Sequence, residues 1–139
     1  MSWTQSLIKI SSYEVDTIQK RLAEAVARRG AAEMRRLMLE AEGESETSRA
    51  DPDGEAGWGH IDYLAFAQGL RRRKAEAEAE IARLLAEEQG VRDALAVAFE
   101  AQKKYEHVAE TALLLEAKEA GRRETAELDE LGLRRAARR

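Results

Sequence analysis

The feature that most constrains this chain is the stretch running from about residue 60 almost to its last residue, which no proline interrupts. Its inward positions alternate in steps of four and three: Tyr63, Ala67, Leu70, Lys74, Ala77, Ile81, Leu84, Glu88, Val91, Leu95, Ala98, Gln102, Tyr105, Ala109 and Ala112. Alternation sustained over about seven heptads is the signature of a coiled-coil helix, whose narrow stripe has to meet a second helix. Lys74, Glu88 and Gln102 are polar intrusions in it. Acid-before-base pairs four residues apart, at Glu88/Arg92, Glu100/Lys104, Glu119/Arg123 and Glu130/Arg134, support the helix by about 0.3–0.5 kcal/mol each.

The partner helix lies upstream. Residues 43–59 hold four of the nine glycines and the only proline. Aspartates flank Pro52, so the fixed φ of proline and the side-chain bonds of aspartate predict a turn in an acidic, solvated loop. Before it, a first helix is predicted from a capping box at Ser2–Trp3–Thr4–Gln5 to about Glu42. Its stripe reads Ile8, Ser11, Val15, Ile18, Leu22, Ala25. Continued in the same register, the stripe would bring Arg29 and Arg36 into the seam. A run of four-residue steps from Leu22 through Val26, Gly30 and Met34, then Leu37 and Ala41, avoids them and predicts a stutter there. The expected fold is therefore all-α, a single coiled-coil domain over residues 1–139. Its two long helices form an antiparallel hairpin, helix 3–42 and helix 60–137, with the second much the longer.

Composition fits that picture. Charged residues are 36% of the chain, aromatics only 5%, and the 44% apolar fraction is inflated by alanine, as expected of long helices rather than a compact globule. At about 1.5 Å per residue the helices measure about 55–60 Å and about 115 Å. The first then reaches roughly residue 100 of the second, leaving Leu113, Leu114, Leu115, Leu128, Leu131 and Leu133 on an overhang with no partner in the chain. Exposed leucines on a lone helix mark a binding surface, and fraying is expected beyond about residue 120 without a partner.

No catalytic constellation emerges. His60 and His107 are far apart, no cysteine is present, and neither zinc-ligand spacing nor a phosphate-binding loop occurs. The expectation is a protein that is not an enzyme and carries no cofactor or metal. Twenty-seven acids against twenty-three bases give a net charge of −4, which argues against nucleic acid as a partner. The first ten residues are not expected to act as a signal peptide, and no run is apolar enough for membrane insertion. Arg71, Arg72, Arg73 and Lys74 point around the whole helix circumference and make no single basic surface; some of them are expected to face the acidic loop or an acidic partner. The final arginines complement the helix dipole and are suited to an acidic cavity. Trp58, Tyr63, Phe66 and Leu70 gather beside the loop, where they either close the hairpin against Leu37 and Met38 or form a docking patch.

The opening of the long helix, Trp58-x(4)-Tyr63-x(2)-Phe66-x(3)-Leu70, resembles that of the flagellar export protein FliJ family. So do Tyr105 with Thr111-Ala112-Leu113-Leu114-Leu115-Glu116, and Asp129-Glu130 with Arg135-Ala136-Ala137. The first helix departs from the family in having Glu40 and Glu44 where tyrosines are expected. The resemblance implies a component of the flagellar type III protein export apparatus that resembles a rotary-ATPase central stalk. It would be cytoplasmic and peripherally associated with the membrane export apparatus. Three partners are implied: the export ATPase hexamer, the membrane export-gate protein on its cytoplasmic side, and export chaperones. Carried onto this chain, Leu37, Tyr63, Phe66 and Leu70 at the tip would contact the gate. Leu7, Leu113, Leu114, Leu115, Arg134 and Arg135 would contact the ATPase. An injectisome stalk and a coiled-coil dimer scaffold are the competing readings.

Overall fold

The computed structural model describes residues 2–49 and 60–138. It contains two helices, α1 (Trp3–Arg49) and α2 (His60–Ala137), with no strand among the described residues. The fold is all-α, two long helices packed on one another, with α2 at 78 residues against 47 for α1. The capping box is in place: the Gln5 amide donates to Ser2 Oγ at 3.3 Å and the Ser2 amide to Gln5 Oε1 at 3.2 Å.

The chain divides into two compact units. One is formed by residues 17–95. Within it, α1 turns Ile18, Leu22, Ala25, Arg29, Ala32, Arg36, Leu39, Gly43 and Glu46 away from solvent, a strict alternation of four and three. The expected stutter is absent. Gly30, Met34, Leu37 and Ala41, which were to form the seam, are exposed instead. Of the two seam arginines, Arg29 meets a carboxylate of α2, Glu88, which is only 4% exposed, while Arg36 has only Glu40 of its own helix nearby. On α2 the seam follows the expected positions, with Leu70, Ile81, Leu84 and Glu88 buried and Tyr63, Ala67, Lys74, Ala77, Val91 and Leu95 half-buried. Ala32, Ile81 and Leu84 form the buried apolar cluster of this unit.

Helix α1 also runs past Glu42, to Arg49. Gly43 does not break it. It is buried in the seam, where a Cβ would stand 2.5 Å from Leu70 Cδ2, so glycine here admits a leucine rather than ending a helix. The side-chain hydroxyls of Thr47 and Ser48 donate to the carbonyls of Gly43 and Glu44 at 2.7 and 2.9 Å, a bond serine and threonine make inside helices. Trp58 and the turn around Pro52 lie outside the described residues.

The other unit comprises residues 1–16 and 96–139. Ser11 and Val15 are buried in it together with Ala98 and Ala109. Leu7, Ile8, Ser12, Ala101, Gln102 and Ala112 are half-buried. The seam is small and partly polar: Gln102 Nε2 donates to Ser12 Oγ at 3.1 Å and Ser11 Oγ to the Ile8 carbonyl at 2.9 Å. Tyr105, an expected seam position, is 37% exposed. From Leu113 to Arg138 every residue is exposed, although α2 continues to Ala137. Pairing thus extends to Ala112, about a dozen residues further than length alone suggested, and the overhang is shorter.

Candidate partner-binding surfaces

Two of the surfaces expected from the sequence can be placed, one in each unit. In the unit of residues 17–95, Tyr63, Phe66 and Leu70 stand at steps of three and four on the first turns of α2. They line a groove of about 170 Å³ with Thr47, Ala67, Arg71 and Lys74. Leu70 is 9% exposed and acts as a knob against Gly43 rather than as a free contact, whereas Tyr63 and Phe66 keep part of their surface open. Thr47, not Leu37, faces this group from α1. Leu37 and Met38 are 50% and 65% exposed and do not close over the aromatics. They lie about six residues, or ~9 Å, before Gly43 along α1 and on another face, because the register that would have turned them inward is not the one adopted.

The wall beside Leu70 is polar. Glu40, Glu44, Thr47, Ser48 and Lys74 line a second, wider groove with Gly43 and Leu70, and Arg73 reaches Glu42 at 3.7 Å. Part of the basic run therefore answers the acidic end of α1, as its charge suggested, while Arg71 and Arg72 remain exposed. A patch of this kind, half-buried aromatic surface rimmed by charge, suits a protein contact.

The second surface, in the unit of residues 1–16 and 96–139, is the uncovered part of α2. Leu113, Leu114 and Leu115 are 66%, 60% and 56% exposed, and Leu128, Leu131 and Leu133 are 68%, 50% and 72% exposed. At about 100° per residue, Leu113, Leu114, Leu128 and Leu131 share one side of the helix. Leu115 and Leu133 share the nearly opposite side with Ala126. Continued beyond Ala112 in steps of four and three, the seam register reads Glu116, Glu119, Arg123, Ala126, Glu130, Leu133 and Ala137, so charge interrupts it. Arg134 is held by Glu130 at 3.0 Å and Arg135 is exposed. Three of the four charge pairs expected on α2 form, at Glu88–Arg92, Glu100–Lys104 and Glu130–Arg134. Leu7, near the start of α1, is half-buried in the same unit.

Sequence reasoning about single helices missed a charged layer in the seam of the unit of residues 17–95. Arg29 donates through Nε and Nη2 to the two oxygens of Glu88 and through Nη1 to Glu33 at 3.1 Å. Arg92 adds a third donor to Glu88 at 2.9 Å. The signal lay in the two helices together, an arginine and a glutamate each occupying a seam position. Hydrogen bonding from Arg29, then from Arg92, holds the Glu88 carboxyl below the ordinary glutamate range, and Glu80 is lowered in the same way by Arg83.

A carboxyl with a depressed folded-state pKa stabilises the fold above its ordinary pKa and loses that contribution as pH falls through the folded value. The melting temperature should therefore hold from neutrality down to about the ordinary glutamate pKa, ~4.3, and fall below it. Arg29 and Arg83 are raised by these contacts, so they lose charge only at strongly alkaline pH. A Glu88→Gln variant should melt lower at pH 7 and show a shallower acid limb; an unchanged acid limb would mean that Glu88 does not titrate with folding.

Comparison with known proteins places the chain. The family model described as "Flagellar FliJ protein" matches residues 4–139. Two curated proteins, each named "Flagellar FliJ protein", are similar to it, from Caulobacter vibrioides strain NA1000 / CB15N and from Caulobacter vibrioides strain ATCC 19089 / CIP 103742 / CB 15. Each is 52% identical over 135 residues, covering 97% of this chain and 95% of the relative. No solved structure matches. With a family match along almost its whole length and relatives above half identity, this chain belongs to the flagellar FliJ protein family.

Proposed function

We propose that this chain is a non-enzymatic component of the flagellar type III export apparatus. In this reading it acts as a central stalk for the hexameric export ATPase and links it to the export gate and to export chaperones. It works in the cytoplasm, against the membrane-bound apparatus. No helix among the described residues is long and apolar enough to cross a membrane, which agrees with attachment through protein contacts.

One observation carries the reading. Past Ala112, α2 exposes leucine on two nearly opposite sides while charged residues interrupt its seam register. A single partner helix covers a stripe about 100° wide, so one helix leaves one of those sides wet. An enclosing partner, such as the lumen of a protein ring, covers both. The arginines of the last turn suit an acidic wall within it. The partly open Tyr63 and Phe66 groove is a separate contact site, which this reading gives to the export gate.

The test is to mix the chain with the export ATPase and measure hexamer formation and ATP hydrolysis, for the full-length protein and for a form lacking residues 113–139. The full-length chain should promote both and the shortened form neither. Absence of binding and stimulation by the full-length chain would overturn the stalk reading. Deletion that abolishes swimming but spares effector secretion would distinguish a flagellar role from an injectisome one.

A further inference from the structure

Helix α1 carries two apolar stripes in the unit of residues 17–95, and only one is used. The stripe packed on α2 is Ala25, Arg29, Ala32, Arg36, Leu39 and Gly43. About half a turn away, at ~100° per residue, lie Ala27, Gly30, Ala31, Met34, Met38 and Ala41, all exposed, with Met34 56% and Met38 65% open to solvent. By composition the unused stripe is the better one. It has no charged member, whereas the used stripe holds two arginines. One of them, Arg36, has its Nε buried with no hydrogen-bond partner and stands 3.9 Å from Glu40, an unfavourable arrangement for a guanidinium.

Something must offset that disadvantage, and the charged layer is placed to do so. Arg29 meets Glu88 in a two-nitrogen, two-oxygen fork, the geometry that makes arginine–carboxylate pairs directional. Glu88 also accepts from Arg92, so the buried carboxylate has donors on both oxygens. Charged residues at seam positions are known to select one register among several that apolar packing alone would allow. Passing from Leu22 through Val26 and Gly30 to Met34 in four-residue steps moves the contact line around α1 by about 40° per step. The alternative therefore needs no broken helix, only a different crossing of α2 over α1.

We propose that the Arg29–Glu88 pair is a latch that selects between two seams on α1, and that releasing it moves α2 from the arginine-bearing stripe onto the Gly30–Met34–Ala41 stripe. With the latch closed, Ala32 is buried and Met34 is open. With it released, Met34 is covered and Ala32 and Arg36 face water.

The chain has no cysteine, so single introduced thiols report the two seams without background. Ala32→Cys and Met34→Cys are made separately in the full chain, and their maleimide labelling rates are compared with and without Glu88→Ala. In the parent, the Met34→Cys thiol should label at least ten times faster than the Ala32→Cys thiol. In the Glu88→Ala background the order should reverse, with helicity by circular dichroism retained. Unchanged rates after Glu88→Ala would overturn the proposal, because the latch would then select nothing. Acceleration at both positions would overturn it too, because it would show loosening with no second seam.

Discussion

Replacing Leu84 with alanine should lower stability by about 3 kcal/mol, within the range for buried leucines, and the melting temperature by roughly 10 °C. Leu84 is 4% exposed and packs with Ile81 and Ala32. Its neighbour across the seam is already an alanine, so no large side chain stands ready to fill the space, and the cavity term adds to the lost transfer energy. Around it the seam offers little other apolar mass: Arg29 and Glu88 occupy one neighbouring layer, and Ala25 and Arg36 further positions on the same α1 stripe. Leu85, the next residue, is 46% exposed, and Leu85→Ala should cost less than about 0.5 kcal/mol. Thermal unfolding of the two variants side by side checks the seam directly. Equal losses would mean that α2 does not present Leu84 to α1.

That contrast was legible in the sequence for α2 and not for α1, for a physical reason. On α2 the large residues Leu70, Ile81, Leu84, Val91 and Leu95 outweigh the intrusions at Lys74 and Glu88, so one stripe dominates. On α1 past Leu22 neither face dominates: the packed one offers Ala25, Ala32, Leu39 and Gly43, the other alanine and glycine with Met34 and Met38. The choice is made by Arg29 finding Glu88, a match that exists only between the helices. Reading α1 alone penalises Arg29 as a seam residue and so selects Gly30 and Met34. The same error displaced Leu37, which shares a face with Met34 and not with Phe66 or Leu70. Gly43 misled in a related way: a glycine near a run of turn residues reads as a helix end, but its role is the close approach of Leu70.

The candidate sites divide along the same line. Exposure of Leu113 to Leu133 followed from helix lengths and needed no register, and the structure places all six leucines in solvent. The burial of Leu70 depended on which residue of α1 faces it, and that was set by the register. Tyr63 and Phe66 lie between: their position beside the end of α1 was readable, their half-buried state was not.

The strongest functional effect is expected on the overhang. Leu113→Asp with Leu131→Asp removes apolar surface from one side of α2, and Leu115→Asp with Leu133→Asp removes it from the other. All four leucines are at least half exposed, so neither double variant should change the melting temperature by more than the equivalent of about 0.5 kcal/mol. If the overhang is enclosed, each side buries leucines against a wall of the partner, and each double variant should weaken ATPase binding by at least about thirty-fold, the equivalent of ~2 kcal/mol. Glu116→Ala with Arg123→Ala, on the charged line between the two sides, should change binding less than three-fold, because rim charges contribute little to affinity. A single-helix partner gives a different pattern: one leucine side becomes indispensable and the other silent. That result would replace the enclosed stalk with a paired coiled coil, and self-association measured by sedimentation would identify a second copy of this chain as the partner. Equal dependence on both sides, with the protein monomeric on its own, is the pattern that an enclosing partner produces and a single partner helix does not.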